Sequence, residues 1–431
     1  MSRVLARRLP CWLACWLACW GCGAAPTPGV ELLHRADNGA AQLEDQLLIP
    51  YRARHPGLEV VQHNAALSQD AYRRLLLTAT AGDALPDAFQ LDDVDVPALA
   101  DRGGALDLAP YLSRVGVDLA RYNPEVLAIF RRGAALHGLP RGYTPLLVVY
   151  NRDLLDRAAI AYPTDDWTWD EFLRGAQLLT RDRDGDGRID QWGAAFDRRP
   201  SFWLPWIWAG GGDVLCPGGR RASACLDAPA TVAAIRWYGG WVTRWGIAPR
   251  PHDPGNAGVE NARLFAAGRL AFMTVGHDVV RGLRASVAAG RLRVGFAPIP
   301  HRIGALPATV LYATGYAVPA RALRRKAGVE LAADLTDSLP DAARGEAGIE
   351  LPAVTGAARE VAAADTLGWE AAFLRAAAHG RPGWGARVAQ WREVEGELAD
   401  LMDRVTVGGA DPARAARATA RDLDRLLGAT R

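Results

Sequence analysis

The apolar positions of the chain follow two alternating rhythms. Short runs rich in valine and leucine, at 30–34, 58–62, 146–150 and 270–275, read as sheet-core strands, being too short for buried helices. A further strand follows Pro86-Asp87 and ends at Leu91-Asp92-Asp93. Between these runs the spacing turns helical: an amphipathic helix reaches about His55, where Pro56-Gly57 stops it, and another spans about 70–81. Strands alternating with helices predict a parallel sheet covered on both faces. Open sheets of this kind bind ligands beyond the carboxyl ends of their strands, which points to Asp37, Asn38, Asn64, Asp92 and Asp93. Each of these is equally suited to be a turn former or a helix N-cap.

The most informative stretch is 138–172. Turn chemistry, Gly-Leu-Pro-Arg-Gly-Tyr-Thr-Pro, leads into the strand at 146–150, and Asn151 and Asp153 close it. The next helix carries Leu154, Leu155 and Ala158 on one face. After the Pro163 turn, Thr168 and Glu171 form a capping box, so a new helix starts at Trp169. Gly138-Leu139-Pro140, Tyr150-Asn151-Arg152-Asp153-Leu154 and residues 163–172 resemble the domain crossover of the family 1 extracellular solute-binding proteins. These are the sugar-binding lipoproteins of ABC importers and include the maltose-binding protein. The family pattern returns at His55-Pro56-Gly57, at Ala81-Gly82-Asp83 with Pro86-Asp87, and at Gly104-Ala105-Leu106-Asp107-Leu108. Gly295-Phe296-Ala297-Pro298-Ile299-Pro300 resembles a second crossover, and 348–354 a third.

The resemblance implies an α/β, bilobal fold of the periplasmic-binding-protein type II, with a mainly parallel sheet in each lobe and three crossovers. The N-terminal lobe would comprise 30–142 with 301–350, and the C-terminal lobe 143–300 with 351–431. It also implies hinge closure on a mono- or oligosaccharide and docking on ABC permease subunits, with no chemistry on the sugar. Sugars present flat apolar C–H faces, so Trp203, Trp206 and Trp208 are candidate stacking surfaces, one or two of them expected to face the ligand. Tyr143, Tyr312, Tyr316 and Trp391, with Trp384, are further candidates. Where the family often has Gly-x-Trp, this chain has Gly276-His277-Asp278, which makes His277 or Asp278 the substitute contact.

Composition narrows the remaining options. The 431 residues are 50% hydrophobic and 23% charged, enough for two or more cores. Residues 1–21 hold Arg3, Arg7 and Arg8, no acid, and an apolar run, a signal peptide in outline. Cleavage before Cys22 would leave a lipid-anchored cysteine and a tether at 23–29; Cys19 is a second candidate, and an uncleaved anchor a third reading. In each case the rest is exported. Without the leader the formal charge of +2 falls to about −1, giving no electrostatic case for nucleic acid. A monomer is expected. In an oxidising compartment Cys216 and Cys225 should pair across a Pro-Gly-Gly turn.

Asp182, Asp184, Asp186, Arg188 and Asp190 match the opening of an EF-hand-type calcium loop, the arginine through its carbonyl. The position where the twelfth-place acid is expected holds Gly193, so the missing ligand would have to come from elsewhere, with Asp197 a candidate; a solvated turn explains the pattern equally well. No cofactor is required, and structural calcium is the one ion suggested. Nucleophile-elbow, zinc-helix and phosphate-loop motifs are absent from the sequence. The competing classes are an exported carbohydrate-active enzyme and a calcium-stabilised surface adhesin.

Overall fold

The computed structural model describes residues 29–35, 38–65, 68–82, 85–250 and 257–428. The leader, Cys22 and the tether lie outside these residues, as do Asp37 and the side chain of Asn38. The strands are β1 Gly29–His34, β2 Glu59–Asn64, β3 Ala88–Asp92, β4 Arg131–Arg132, β5 Ala135–Leu136, β6 Leu139–Pro145 and β7 Leu147–Asn151. They continue as β8 Trp192–Ala194, β9 Leu270–Val275, β10 Val294–Ala297, β11 Thr309–Ala317 and β12 Gly380–Pro382.

One sheet has the order β12-β11-β3-β1-β2, with β6 on the other edge of β11; a second has the order β10-β7-β9-β8. Parallel pairing holds where a helix returns the chain to its own sheet, as in β1–β2 and β1–β3, and also for β8–β9 and β11–β12. Strands that enter from the other lobe run the opposite way: β7 is antiparallel to β9 and β10, and β11 to β3 and β6. The second sheet is therefore mostly antiparallel, because its central strand arrives through a crossover and not over a covering helix. The first sheet also regains β12, from the stretch expected in the second lobe.

The crossing segments are tied together. β6 ends in the first sheet and β7 begins in the second, so Leu146 alone connects them. Thr309, at the start of β11, accepts from the Leu146 N–H at 3.1 Å and donates to its carbonyl at 2.7 Å. Tyr143 and Leu351 exchange backbone hydrogen bonds, both 2.9 Å. A single threonine and one bridge thus hold three chain segments side by side.

The predicted capping box is present: the Thr168 hydroxyl accepts from the Glu171 N–H at 3.4 Å, and Glu171 accepts from the Thr168 N–H at 2.7 Å. The helix Trp169–Leu179 turns Phe172 into the second-lobe core, where it meets Trp206 and Trp241 at centroid distances of 5.1 and 4.8 Å. Trp169 stacks on Trp237 at 4.0 Å. The tail helices Trp391–Thr406 and Pro412–Leu426 pack on each other and on the helix Pro229–Thr243. Cys216 and Cys225 form the expected disulfide. Gly218 and Gly219 between them have φ of +94° and +71°, which a side chain would strain.

Candidate functional site

A cleft of about 870 Å³ opens at the carboxyl end of β3, beside the crossing segments. The first lobe supplies Arg35, Gln69, Asp92 and Asp93; the second supplies Arg199, Phe202, Asp278, Trp391, Arg392 and Glu395; Tyr143, Thr144, Tyr312 and Glu350 come from the crossings. A smaller concavity, about 520 Å³, is lined by Leu77, Thr80, Arg102 and Leu323, without a second-lobe wall.

The acids after β3 have different surroundings. Asp92 is buried and accepts from Gln69 at 3.2 Å and from Gln90 at 3.4 Å, with the Arg35 guanidinium 3.7 Å away. Asp95 pairs with Arg73 at 2.7 Å, yet burial and then the Asp92 charge push its carboxyl up to about 6. Asp93 is buried, and among the described residues its Oδ2 has no hydrogen-bond partner; burial, then the charge of Asp92, drive it well above the usual carboxylate range. Burial likewise raises Glu395, against the pull of Arg392 at 3.4 Å.

Glu350 owes its position to Gly142. A Cβ at Gly142 would lie 2.2 Å from Glu350 Cγ, so only glycine lets the glutamate rest against β6. There its carboxylate meets Arg141 Nε at 2.7 Å and accepts from the Thr314 hydroxyl at 2.5 Å. Tyr312 is fixed by a helix irregularity. Pro205 lies inside the helix Pro200–Ala209 and has no N–H, which frees the Ser201 carbonyl; the Tyr312 hydroxyl donates to that carbonyl at 2.9 Å.

Of the residues expected at the site, Asp92, Asp93, Tyr143, Asp278, Tyr312 and Trp391 come together in the cleft wall. Asn64 is exposed at the end of β2, outside the wall. The tryptophan expectation needs correcting: Trp203, Trp206 and Trp208 are all buried. Their indole N–H groups donate to the Arg198 carbonyl, the Thr274 hydroxyl and Asp213, at 2.9, 3.0 and 2.9 Å. Only the first turn of their helix, at Pro200, Ser201 and Phe202, reaches the cleft. Trp384 is also turned inward, donating to Asp213 at 2.7 Å. His277 is wholly buried, 2.6 Å from Glu370, and Tyr316 donates to the buried Glu44 at 3.1 Å; neither lines the cleft.

Sequence reasoning missed Arg35, Gln69, Arg199, Phe202, Glu350, Arg392 and Glu395. Phe202 directly precedes Trp203, the first of the candidate tryptophans, and Glu350 lies inside the third crossover segment. The others are ordinary polar and charged positions on helices and loops whose role depends on the fold.

In the Asp182 loop, carboxylate oxygens of Asp182, Asp184 and Asp190 lie within 4.8 Å of one another. Asp182 accepts from the N–H groups of Gly185 and Gly187, which hold its carboxyl below the usual range. Asp186 is outside that cluster, and Asp190 also pairs with Arg269 at 2.9 Å. Asp197 does not fill the missing position, because both its oxygens are engaged by Arg199.

Two α/β lobes crossed by adjacent chain segments around a polar, aromatic-lined cleft define a bilobal fold of the periplasmic-binding-protein type II. The chain belongs to the bacterial extracellular solute-binding proteins, whose family model matches residues 38–336. Among solved structures it is similar to an ABC substrate-binding protein from Listeria monocytogenes in complex with cycloalternan, at TM-score 0.80 and 19% identity, covering 93% of this chain and 99% of that one. UgpB from Mycobacterium tuberculosis, in complex with glycerophosphocholine, matches at TM-score 0.78 and 22% identity over 93% and 99%. The maltose/maltodextrin-binding domain MalE from Bdellovibrio bacteriovorus, bound to maltotriose, matches at TM-score 0.73 and 20% identity over 93% and 100%. Among the described residues no helix is long and apolar enough to cross a membrane.

Proposed function

We propose that this chain is the extracytoplasmic receptor of an ABC importer, trapping a mono- or oligosaccharide in the cleft and handing it to the permease unaltered. The observation that carries the reading is the makeup of the cleft, to which both lobes contribute carboxylates and arginines while the second lobe and the hinge-like crossings add aromatic groups. Phe202, Tyr312 and Trp391 supply apolar faces, and Asp92, Asp93, Asp278 and Glu350 supply hydrogen-bond acceptors. A ligand touching both walls binds the closed form better than the open one, which drives closure. Two of the three similar structures hold glycans, which agrees with a sugar. Export as a lipoprotein anchored at Cys22, acting as a monomer, completes the reading.

A thermal-shift screen of the mature chain against mono- and oligosaccharides tests it, since a ligand of the native state raises the melting temperature. A saturable rise with the sugar recovered intact is expected. Recovery of cleaved sugar would assign the protein to the carbohydrate-active enzymes instead.

The Asp182 loop is further proposed as a structural calcium site of modest affinity, held by the three converging carboxylates and the Arg188 carbonyl, with water completing the shell. With a Kd of about 1 mM, 10 mM calcium stabilises by about 1.4 kcal/mol. The melting temperature should rise with calcium, and Asp182→Asn should remove the rise. An identical melting temperature in calcium and in chelator would leave the loop a turn.

A further inference from the structure

The helix Pro200–Ala209 packs in the second-lobe core, yet both its ends are fastened to strands of the first sheet. At its first turn the Ser201 carbonyl accepts from the Tyr312 hydroxyl of β11 at 2.9 Å. Beyond its last turn Asp213 Oδ2 accepts from Arg381 Nη2 of β12 at 2.9 Å, and the Arg381 guanidinium lies 3.7 Å from the centre of the Trp208 ring. A charge-assisted bond and a cation–π contact thus act on one guanidinium. Asp213 Oδ1 accepts from the indole N–H groups of Trp208 and Trp384, at 2.9 and 2.7 Å, so one carboxylate joins the helix to the segment after β12. The two fastenings reach neighbouring strands, since Arg381 is in register with Val310 of β11.

The segment after β12 is itself held from both sides. Residues 383–390 carry the chain from the first sheet to the second-lobe helix Trp391–Thr406. The Arg387 carbonyl accepts from Arg132 Nη1 of the first lobe at 3.0 Å. A Cβ on Gly385 would lie 2.7 Å from Val94 of the first lobe and 2.9 Å from Trp391 of the second, so the passage is narrow. Along the helix, Ser201 and Trp208 are about 10 Å apart. Two bodies fastened at two such points keep one easy rotation, about the line that joins them, which here runs along the helix. We propose that the helix Pro200–Ala209 is the pivot of lobe movement, with Arg381 and Asp213 as positioning residues that hold its far end, so that the lobes turn about the helix and do not twist across it. Neither residue lines the cleft, whereas Phe202 on the first turn does. Phe202 therefore stays beside Tyr312 while the rest of the second-lobe wall swings. The use of this movement to trap a ligand rests on the receptor reading; the fastening does not.

Interlobe distances measured by double electron–electron resonance test this without any ligand. Spin labels at Ser113→Cys in the first lobe and Thr243→Cys in the second, both exposed positions, are placed in the mature chain carrying Cys22→Ser. The parent should give one narrow distance distribution. Arg381→Gln and Asp213→Asn should each widen it about twofold, and the double variant no more than the wider single, since the two residues make one fastening. Arg381 is 44% exposed, so its replacement leaves the core intact, and thermal melts confirm that the variants fold. Arg425→Gln, on the tail helix, should leave the distribution as it is. Distributions equal to the parent's in folded Arg381→Gln and Asp213→Asn would overturn the pivot whatever the melting temperatures do, because a contact that serves stability alone does not move the lobes. Widening that adds in the double variant would overturn the single fastening, and equal widening in Arg425→Gln would overturn its placement at the helix. Because no sugar enters the measurement, failure of the pivot leaves the receptor reading standing, and failure of the sugar screen leaves the pivot standing.

Discussion

Glu44→Gln should destabilise the protein by about 3–5 kcal/mol at neutral pH, read as a lower urea midpoint. Glu44 is 1% exposed in the first lobe and accepts from Arg344 Nε and Nη2 at 2.7 and 2.8 Å, from Arg141 Nη1 at 3.0 Å and from the Tyr316 hydroxyl at 3.1 Å. Arg141 has a second carboxylate in Glu350. Arg344 is fully buried, and its Nη1 donates to the Leu335 carbonyl at 2.7 Å. Glutamine preserves the shape and removes the charge, leaving Arg344 as an uncompensated buried cation. A loss below about 1 kcal/mol would show that the network is neutralised some other way.

The pH dependence has a definite sign. Burial alone would raise the Glu44 carboxyl, but Arg344 and then Arg141 outweigh it and hold the group well below the usual range. A depressed carboxylate contributes stability that is complete above its unfolded pKa and is lost as pH falls toward the folded one. The deficit of Glu44→Gln should therefore narrow once the pH drops below about 4.3, the ordinary glutamate value.

The elements most legible in the sequence were those defined by local chemistry. β9 falls where the apolar run 270–275 put it, and the helix after Thr168 begins at Trp169 because the cap is written in four residues. The helix Pro200–Ala209 was not legible: it is buried on nearly every side, so its apolar residues show no 3.6-residue stripe. In the cleft, Asp92 and Asp93 could be read because they end a strand. Arg392 and Glu395 could not, since their place depends on how the tail helices pack against the second lobe. Tyr312 and Tyr316 look alike in sequence, but four strand residues span about 13 Å. That distance takes Tyr316 out of the cleft and onto Glu44.

The same packing separates core from site on one short helix. Trp206→Ala should cost about 3–5 kcal/mol of stability, because it removes a side chain that is 1% exposed and packs on Phe172, Trp241 and Trp237 at 5.1, 4.7 and 5.8 Å. It also takes the indole donor from the Thr274 hydroxyl, 3.0 Å away. Phe202 lies one turn earlier, half-buried in the cleft wall beneath the Arg199 guanidinium at 4.2 Å. Phe202→Ala should cost less than about 1.5 kcal/mol of stability and lower sugar affinity about 10-fold through the lost stacking face. Urea midpoints and titrations on both variants, at a temperature where each is folded, check the pair. The reverse pattern, with Trp206→Ala weakening binding at intact stability and Phe202→Ala silent, would put the sugar against the buried indoles and require a cleft that opens much deeper into the second lobe.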